Sequence, residues 1–395
     1  MTAPFLAEAQ ALSDELTAVR RDLHMHPELG FQEFRTARTV AERLGALGYE
    51  VQTGVGKTGV VGLLQGGLAG ERTVLLRFDM DALPIQDEKD VPYRSQTPGL
   101  MHACGHDAHV AIGIGVATLL ARHREAIPGM VKLMFQPAEE GLGGAMAMIN
   151  DGLLEGPRPD VALGLHVSSN HDLGTAVVRS GALLAASDRF DVSVRGRGGH
   201  GAHPDQTVDA VLVAAQLIVA LQTVVSRSLN PLEPGVVTVG AIHAGEASNV
   251  IAETAELRGT IRSFSQEARA VLHRRIEEVA AGVAASFGAQ VEVRIQLGVD
   301  PTINAPQPTA VMREAAAAGI DVAPTASTLP TPWGGGPSAG PERRARDFLL
   351  LPPRTGERTG APHHNPRFDI DEACLPQGVA ILCDAAVRCL RGEGA

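Results

Sequence analysis

The stretch MVKLMFQPAEE, residues 130–140, is a short apolar run that ends in two adjacent carboxylates, Glu139 and Glu140. A mostly apolar run closed by Gln-Pro is typical of a buried strand, here over 130–135. The two carboxylates therefore follow the carboxyl end of a strand, which is where the ligand crevice of an open α/β sheet lies. A functional site at this end of the sheet is the first expectation.

Two further runs have the same form. TVLLRFDMDALP, residues 73–84, predicts a strand that leads into Asp79 and Asp81, and VALGLHV, residues 161–167, predicts one that leads into His166. Carboxylates and an imidazole at the ends of neighbouring strands would meet at one edge of the sheet. The two aspartates are equally compatible with a polar turn, and a single histidine after an apolar strand is compatible with a core position.

Helical patterns alternate with these strands, at 34–47, 107–123 and 144–150. This order predicts an α/β protein with a mixed, largely parallel sheet that is covered on both faces. Two later helical patterns lie at 311–318 and 373–391, and we expect both helices to pack on the same core.

Between these parts the order of predicted strands and helices changes. Strands are predicted at 188–194, 235–240, 255–261 and 290–296, and helices at 207–226 and 266–287, the second with Ser263 and Gln266 as its capping residues. The order β-α-β-β-α-β is that of a ferredoxin-like unit. We therefore predict a domain at 186–297 that is inserted into a catalytic domain formed by 1–185 and 298–395.

Composition excludes several classes of partner. The 395 residues carry 34 Lys and Arg against 45 Asp and Glu, a net charge of −11, and aromatic residues are 3% of the chain. Without clustered cations or stacking surfaces, no nucleic-acid partner is expected. The first residues include Glu8 and Asp14, unlike a secretory signal, and the longest apolar stretch, 208–225, is too polar for a membrane span. With 4 cysteines, too few for a disulfide scaffold, we predict a cytoplasmic protein without a membrane partner.

A fourth polar cluster, MHACGHDAH at residues 101–109, places Cys104 and His106 two residues apart in a loop before a helix. Thiolate, imidazole and carboxylate donors together favour zinc, manganese, nickel or cobalt over calcium or magnesium. Of the adjacent Glu139 and Glu140, one is expected to bind metal and the other to transfer a proton. A metal-bound water beside a carboxylate base predicts hydrolysis of an amide. Taken alone, Cys104 is more typical of a small buried apolar residue.

The predicted inserted domain contains the glycine-rich segment GGHGAHP, residues 198–204, which can place His200 over a ligand or form a simple hairpin turn. Asn249 and Arg262 are suited to gripping a carboxylate, but they are equally compatible with ordinary surface positions. GVGKT at 54–58 is similar to the end of a phosphate-binding loop, yet it lacks the first glycine of that motif. No nucleotide site is predicted there.

Together these motifs resemble the aminoacylase and hippurate hydrolase branch of the co-catalytic di-metal peptidases, which includes the auxin–amino acid conjugate hydrolases. The likeness covers about residues 20–265 and 359–391, and its ordered motifs are LHMHPE (23–28), DMDALP (79–84), HACGHD (102–107), FQPAEE (135–140), GLHV (164–167), GHGAHP (199–204) and HHNP (363–366). The resemblance implies two divalent metal ions per subunit, bound by Cys104, His106, Glu140, His166 and His364.

The resemblance also implies roles for other residues. Glu139 would be the general base, and Asp81 would orient a metal-bound imidazole. His200 would polarise the scissile carbonyl, while Asn249 and Arg262 would hold the substrate carboxylate. The implied substrate is a small N-acyl amino acid of the acetyl, benzoyl or indole-acetyl type. The smaller domain would act as a lid and mediate homodimerisation.

One segment departs from the family pattern. Where the family has Gly-x-Glu-Asp-Phe before its final histidine, this chain reads WGGGPSAGPERRARDF, residues 333–348. This composition indicates a diverged loop or a local error of reading frame. A catalytically silent protein that binds acyl amino acids and a dipeptidase are therefore alternative hypotheses.

Overall fold

Alternating helices and strands form two units of different architecture. The structure, a computed structural model, describes residues 4–323, 331–334 and 345–393. The first unit comprises Met1–Gly181, Ile303–Leu329 and Ala339–Ala395, and the second comprises Ala182–Thr302 and Pro330–Ser338.

The secondary-structure elements follow the chain in this order. The helices are α1 (Pro4–Ala11), α2 (Ser13–Met25), α3 (Phe34–Ala46), α4 (His106–Arg122), α5 (Gly144–Asn150), α6 (Ala210–Ser228), α7 (Gln266–Phe287), α8 (Pro306–Ala317) and α9 (Cys374–Leu390). The strands are β1 (Glu50–Val55), β2 (Gly59–Gln65), β3 (Leu68–Asp79), β4 (Pro128–Gln136), β5 (Val161–Val167), β6 (Thr175–Ala176), β7 (Gly181–Arg195), β8 (Gly199–His200), β9 (Gly235–Ala244), β10 (Val250–Ile251), β11 (Thr254–Ser263), β12 (Gln290–Val299), β13 (Thr302–Asn304), β14 (Asp321–Val322), β15 (Thr331–Gly334) and β16 (Ala345–Leu351).

The first unit is built on a sheet with the strand order β1-β2-β4-β3-β5-β16. β3 pairs in parallel with both β4 and β5, and β16 pairs in parallel with β5. β1 and β2 are antiparallel to each other, and β2 is antiparallel to β4. The prediction of a mixed, largely parallel sheet is confirmed. Asp79 of β3 lies opposite Gln136 of β4, so these two strands end at the same level of the sheet.

Helices cover both faces of this sheet, as the buried apolar strands require. On one face α4 lies against β3 and packs with α2 and α9. Gly113 of α4 faces Phe78 and Phe135 so closely that a Cβ at this position would lie 2.8 Å from atoms of both rings. On the other face, Met148 of α5 belongs to a buried apolar cluster with Val61 and Met134. A larger residue than glycine at position 113 would push α4 away from the strands.

The second unit is a sheet of order β12-β7-β11-β9 in which neighbouring strands are antiparallel. α6 and α7 pack on this sheet and share one apolar core with it. In chain order the elements are β7-α6-β9-β11-α7-β12, so the predicted ferredoxin-like unit is confirmed. β15 adds to the unit by pairing in parallel with β7.

Capping explains where α7 begins and ends. Ser265 has an extended backbone and accepts a hydrogen bond from the N–H of Ala268, as a helix N-cap does. The prediction that Ser263 and Gln266 provide the capping is wrong, because Ser263 is the last residue of β11 and Gln266 is already the first residue of the helix. The helix ends at Gly288, whose φ of 72° is the left-handed conformation that glycine adopts readily.

One helix of the second unit is unusually apolar. By length and composition alone, α6 could cross a membrane, which differs from the prediction made for 208–225. One of its faces is buried in the core of the unit, through Ala210, Val213, Ala214, Leu217, Leu221 and Val224. Its other face carries Leu212 and Val219, which are 53% and 64% exposed. The helix therefore covers the sheet of its own unit and leaves an apolar stripe on the outside.

A buried carboxyl group in the first unit makes stability depend on pH. Asp347 of β16 is 1% exposed, and the hydroxyl of Thr309 donates a hydrogen bond to it at 2.6 Å. Burial raises the pKa of Asp347 to about 8. The folded chain therefore keeps a proton that the unfolded chain loses above about pH 4.

We expect the free energy of unfolding to fall as the pH rises from about 4 to about 8, by up to about 1.4 kcal/mol per pH unit from this one group. Asp347→Asn keeps the shape of the neutral acid and should flatten this dependence. Urea unfolding of both proteins across this pH range measures the two slopes. Equal slopes would contradict the buried, protonated state of Asp347.

Candidate metal centre

The ends of three adjacent strands bring the predicted polar residues together. Asp79 is the last residue of β3 and Asp81 follows two positions later, while Glu139 and Glu140 come just after β4. His166 lies within β5, one residue before its end. Since β3 is parallel to β4 and β5, these residues lie at the same edge of the sheet.

The loop before α4 contributes a thiol and a further imidazole at this edge. Gly105 separates Cys104 from His106 and has a φ of 86°. A Cβ at Gly105 would lie 2.3 Å from Cγ2 of Val167, so the loop passes directly over the end of β5. Only glycine fits both the left-handed conformation and this close approach. The result is that Sγ of Cys104 lies 3.5 Å from Nε2 of His166.

Hydrogen bonds orient both imidazoles toward the same space. The Nδ1–H of His166 donates to the backbone oxygen of Val167 at 2.6 Å. The Nδ1–H of His106 donates to the backbone oxygen of Asp81 at 2.9 Å, with Oδ1 of Asp81 at 3.2 Å. A neutral ring held at Nδ1 presents Nε2 as an acceptor. Nε2 of His106 is buried and has no hydrogen-bond partner among the described residues, and Oδ2 of Asp79 lies 3.5 Å from it. A buried imidazole nitrogen of this kind is suited to binding a cation.

Glu140 and His364 complete a second group of donors. Oε1 of Glu140 lies 3.2 Å from Nε2 of His364, and the donor atoms of Cys104, Glu140 and His364 lie within 4.8 Å of one another. The backbone N–H of Glu140 donates to Oδ2 of Asp81 at 3.0 Å. Asp81 therefore holds the backbone of Glu140 as well as the ring of His106. The structure thus gathers all the predicted metal-binding residues at one place.

Glu139 points into the same group, and its donor atom lies within 4.8 Å of those of His106 and Glu140. Burial raises the pKa of Glu139 to about 7, although the guanidinium of Arg77, with Nη2 4.0 Å from Oε1, acts in the opposite direction. A carboxyl group with a pKa near neutrality can both accept and return a proton at physiological pH.

Sequence reasoning placed Asp79 at this edge but missed Arg77 and His109, the buried residues that hold it there. Oδ1 of Asp79 accepts a hydrogen bond from Nδ1–H of His109 at 2.5 Å, and Nη1 of Arg77 forms an ion pair with Oδ2 of Asp79 at 2.7 Å. Burial acts to raise the pKa of Asp79, but Arg77 and the histidines hold it well below its ordinary value. The available signal was spacing, because Arg77 and Asp79 alternate at the end of β3 and His109 follows His106 at helical spacing.

A buried ion-pair network supports the start of α4. Asp107 accepts hydrogen bonds from Nε of Arg20 at 2.9 Å and from Nδ1 of His24 at 2.7 Å. Arg20 also donates to Asp369 at 2.9 Å. All four side chains are fully buried. The network ties the residue after His106 to the segment that follows His364.

The three remaining predicted residues belong to the second unit. His200 lies in the short strand β8, which pairs with β10, and the N–H of Gly201 donates to the backbone oxygen of Asn249 at 2.8 Å. His200 and Asn249 are thus neighbours on exposed segments. Arg262 is on β11, opposite Ser187 of β7, and is not part of this ribbon. Within GGHGAHP, Gly199 and His200 therefore pair with distant residues of the chain, and a turn follows at Gly201 and Ala202.

The segment predicted to depart from the family pattern, 333–348, is described at both ends. Its first two residues belong to β15, and its last four begin β16. Residues 335–344 lie outside the described residues.

The chain is similar to proteins of known chemistry. The model for Peptidase family M20/M25/M40 matches residues 75–388. The N-acyl-L-amino acid amidohydrolase of Geobacillus stearothermophilus is 41% identical over 302 residues, which cover 75% of this chain and 81% of that protein. The hippurate hydrolase of Campylobacter jejuni is 40% identical over 299 residues, which cover 76% of this chain and 77% of that protein. The crystal structure of the Bacillus subtilis YXEP protein, a dinuclear metal-binding peptidase from the M20 family, has a TM-score of 0.83 and 32% identity, and covers 97% of this chain and 99% of that chain.

The position of His109 predicts a purely structural role. Its Nδ1–H donates to Asp79, and its Nε2 accepts a hydrogen bond from the N–H of Val167 at 2.9 Å, so both nitrogens are occupied. His109→Phe should lower the free energy of unfolding by about 1–3 kcal/mol, the cost of leaving buried polar groups unsatisfied. His123→Phe, at a position where the side chain is 33% exposed, is the matched control and should cost less than about 1 kcal/mol. Urea unfolding measures both, and equal losses would contradict the role given to His109.

Proposed function

Because the chain belongs to Peptidase family M20/M25/M40, we propose that it is a metal-dependent amidohydrolase that cleaves N-acyl amino acids into a carboxylic acid and a free amino acid. The predicted resemblance to the hippurate hydrolase branch is confirmed by the similarity to hippurate hydrolase itself. The observation that carries the proposal is the convergence of a thiol, imidazoles and carboxylates at the ends of β3, β4 and β5 and the start of α4.

The donor set fits two divalent metal ions, as the YXEP protein binds two. Two observations support this fit: Nε2 of His106 is buried with no hydrogen bond among the described residues, and Sγ of Cys104 lies 3.5 Å from Nε2 of His166. Thiol and imidazole donors beside a carboxylate favour zinc, manganese, nickel or cobalt. When bound, such ions act as Lewis acids and lower the pKa of a coordinated water. The residues proposed to hold them are Cys104, His106, Glu140, His166 and His364.

Glu139 is the proposed general base. It would take a proton from the attacking water and return that proton to the leaving amine, and its side chain lies beside His106 and Glu140, where such a water would be held. Asp81 is the proposed orienting residue, because it accepts the Nδ1–H of His106 and the N–H of Glu140. One carboxylate thereby fixes the direction of two donors.

The second unit is proposed to contact the substrate and to mediate dimerisation. His200 would polarise the scissile carbonyl, and Asn249 and Arg262 would hold the carboxylate of the amino acid. The proposed domain boundaries, 186–297 within 1–185 and 298–395, are supported by the division of the chain into two units. The proposed location is the cytoplasm.

The exposed side of the second unit supports a homodimer. Among the described strands, β9 is at the edge of its sheet, so one side of its backbone has no strand partner there. The neighbouring helix α6 exposes Leu212 and Val219. An apolar stripe beside an unpaired strand edge suits a symmetric contact with a second copy of the same surface.

We expect Glu139→Gln to lower kcat on N-acetyl, N-benzoyl or indole-acetyl amino acids by at least about a hundredfold, the usual effect of removing a general base. Its metal content should stay that of the wild type, because a Gln side chain leaves every proposed ligand in place. Glu140→Gln is the contrasting variant and should lose bound metal. Metal analysis by mass spectrometry and release of free amino acid measure these effects. Full turnover by metal-loaded Glu139→Gln would reject the role of Glu139.

Metal-loaded wild-type protein that binds these compounds but releases no amino acid would support the silent binding protein instead. Faster cleavage of a dipeptide than of its N-acylated counterpart would support the dipeptidase.

The dimer proposal predicts that Leu212→Lys with Val219→Lys halves the mass measured by light scattering in solution, to that of a 41.3 kDa chain. Charges on the apolar stripe would be buried without partners in the dimer. Leu68→Lys, at a position 50% exposed in the first unit, is the control and should leave the mass unchanged. A double variant that keeps the wild-type mass would place the interface elsewhere.

A further inference from the structure

Glu33 is a buried carboxylate that the proposed reaction does not use. It immediately precedes α3 and is 0% exposed. Both of its oxygens have partners, since Oε1 accepts from the N–H of Ala138 at 2.8 Å and Oε2 accepts from the hydroxyl of Thr58 at 2.5 Å. Glu33 therefore joins the start of α3, the turn between β1 and β2, and the residue just before Glu139.

Ala138 has a conformation that alanine rarely adopts. Its φ is 49°, in the left-handed region, which costs a residue with a Cβ about 1–2 kcal/mol. Such a conformation persists only where the surroundings hold it. The N–H of Ala138 is bound to Glu33, and its oxygen accepts from the N–H of Gly144 at 3.1 Å. Its Cβ side is packed, because a Cβ at Gly30 would lie 3.1 Å from the Cβ of Ala138.

The second partner of Glu33, Thr58, belongs to the GVGKT segment. Gly54 near the end of β1, and Gly56 and Lys57 in the turn between β1 and β2, all have positive φ, and the turn leads the backbone back to Thr58. The N–H of Gly56 donates to Oδ2 of Asp151 at 2.8 Å, just after α5. The segment that is similar to a phosphate-binding loop thus binds two carboxylates of the protein itself, those of Asp151 and Glu33.

We propose that Glu33, braced by Thr58, is a positioning residue that keeps Ala138 in its left-handed conformation and so sets the direction in which Glu139 and Glu140 project. The inference rests on the proposed function for its effect on catalysis, because it assigns Glu139 to proton transfer and Glu140 to metal binding. If Ala138 relaxed to a negative φ, the chain would leave the position at a different angle, and both following carboxylates would move. Displacement of about 1 Å in a catalytic group can cost about a hundredfold in rate.

Glu33→Ala and Glu33→Gln test this proposal together. Glutamine can accept from the N–H of Ala138 and donate to the oxygen of Thr58, whereas alanine can do neither. We expect Glu33→Ala to lower kcat by about 10- to 100-fold with little change in KM, and Glu33→Gln to stay within about threefold of the wild type. The matched control is Glu28→Ala, which removes hydrogen bonds to the N–H groups of Arg35 and Thr36 on the same segment but does not touch Ala138.

A second readout does not depend on turnover. Titration of the metal-free proteins with cobalt(II), followed by visible absorption, reports on the donors that include Glu140. Glu33→Ala should weaken cobalt binding by about 10- to 100-fold, the usual effect of losing a group that orients a ligand. Glu33→Gln and Glu28→Ala should bind cobalt as the wild type does. If Glu33→Ala fails to fold, Thr58→Val removes only the brace and should lower cobalt affinity and kcat in the same direction by a smaller factor.

The outcomes separate this inference from the proposed function. Wild-type kcat and cobalt affinity in Glu33→Ala, or in Thr58→Val where that variant replaces it, would overturn the positioning role while leaving the amidohydrolase intact. Equal losses in Glu33→Ala, Glu33→Gln and Glu28→Ala would also overturn it, since they would indicate general destabilisation. A wild-type protein that cleaves no acyl amino acid, with cobalt binding weakened only in Glu33→Ala, would support the positioning role and reject the proposed reaction.

Discussion

The parallel pairing of β3 with β4 and β5 is the constraint on which the candidate site depends. It sets Asp79 level with Gln136 and Arg77 level with Gly164, so the polar residues that follow the strands meet at one edge. Because side chains alternate along a strand, a slip of one residue in this register would turn Asp79 and Arg77 to the opposite face. The apolar residues of the three strands oppose such a slip, because residues that pack in the core on one face, such as Leu76, and residues that pack in the core on the other, such as Leu75, would have to exchange faces. The chemistry of the edge is therefore fixed by the packing of the sheet.

The site contains two energetically unfavourable features, buried charges and strained backbone. Residues outside the donor set offset both. Carboxylates and a guanidinium are removed from water, which is tolerable only because each has an oppositely charged or hydrogen-bonded partner, as Asp79 has in Arg77 and His109. Strained backbone occurs at Ala138 and His364, whose φ values are 49° and 62°. Both residues are next to or among the proposed donors. The rigid neighbours of the site are thus as necessary to it as the donors themselves.

The sequence predicts the donors better than it predicts what holds them. Apolar runs that end in polar residues locate the strands, and motif order locates Cys104, His106 and Glu140, because these signals are local in the chain. The contact of Glu33 with Ala138 joins residues 105 positions apart, and no local pattern distinguishes Glu33 from a surface glutamate at the start of a helix. Capping shows the same limit on a smaller scale, since Ser265 and Ser263 are both plausible caps until the end of β11 is known. What escapes prediction is the pairing of distant residues, which depends on the completed fold.

His364 shows why a divergent preceding segment is compatible with an intact donor set. Its N–H donates to the backbone oxygen of Ala103 at 2.8 Å, which ties it directly to the loop that carries Cys104. After it, Asp369 accepts hydrogen bonds from Arg20 at 2.9 Å and from the hydroxyl of Tyr93 at 2.8 Å. These contacts all come from residues at or beyond His364, within the part of the chain that the structure describes as 345–393. These contacts connect the chain at and after His364 to the loop before α4, to α2 and to Tyr93, and so help to hold the imidazole beside Glu140.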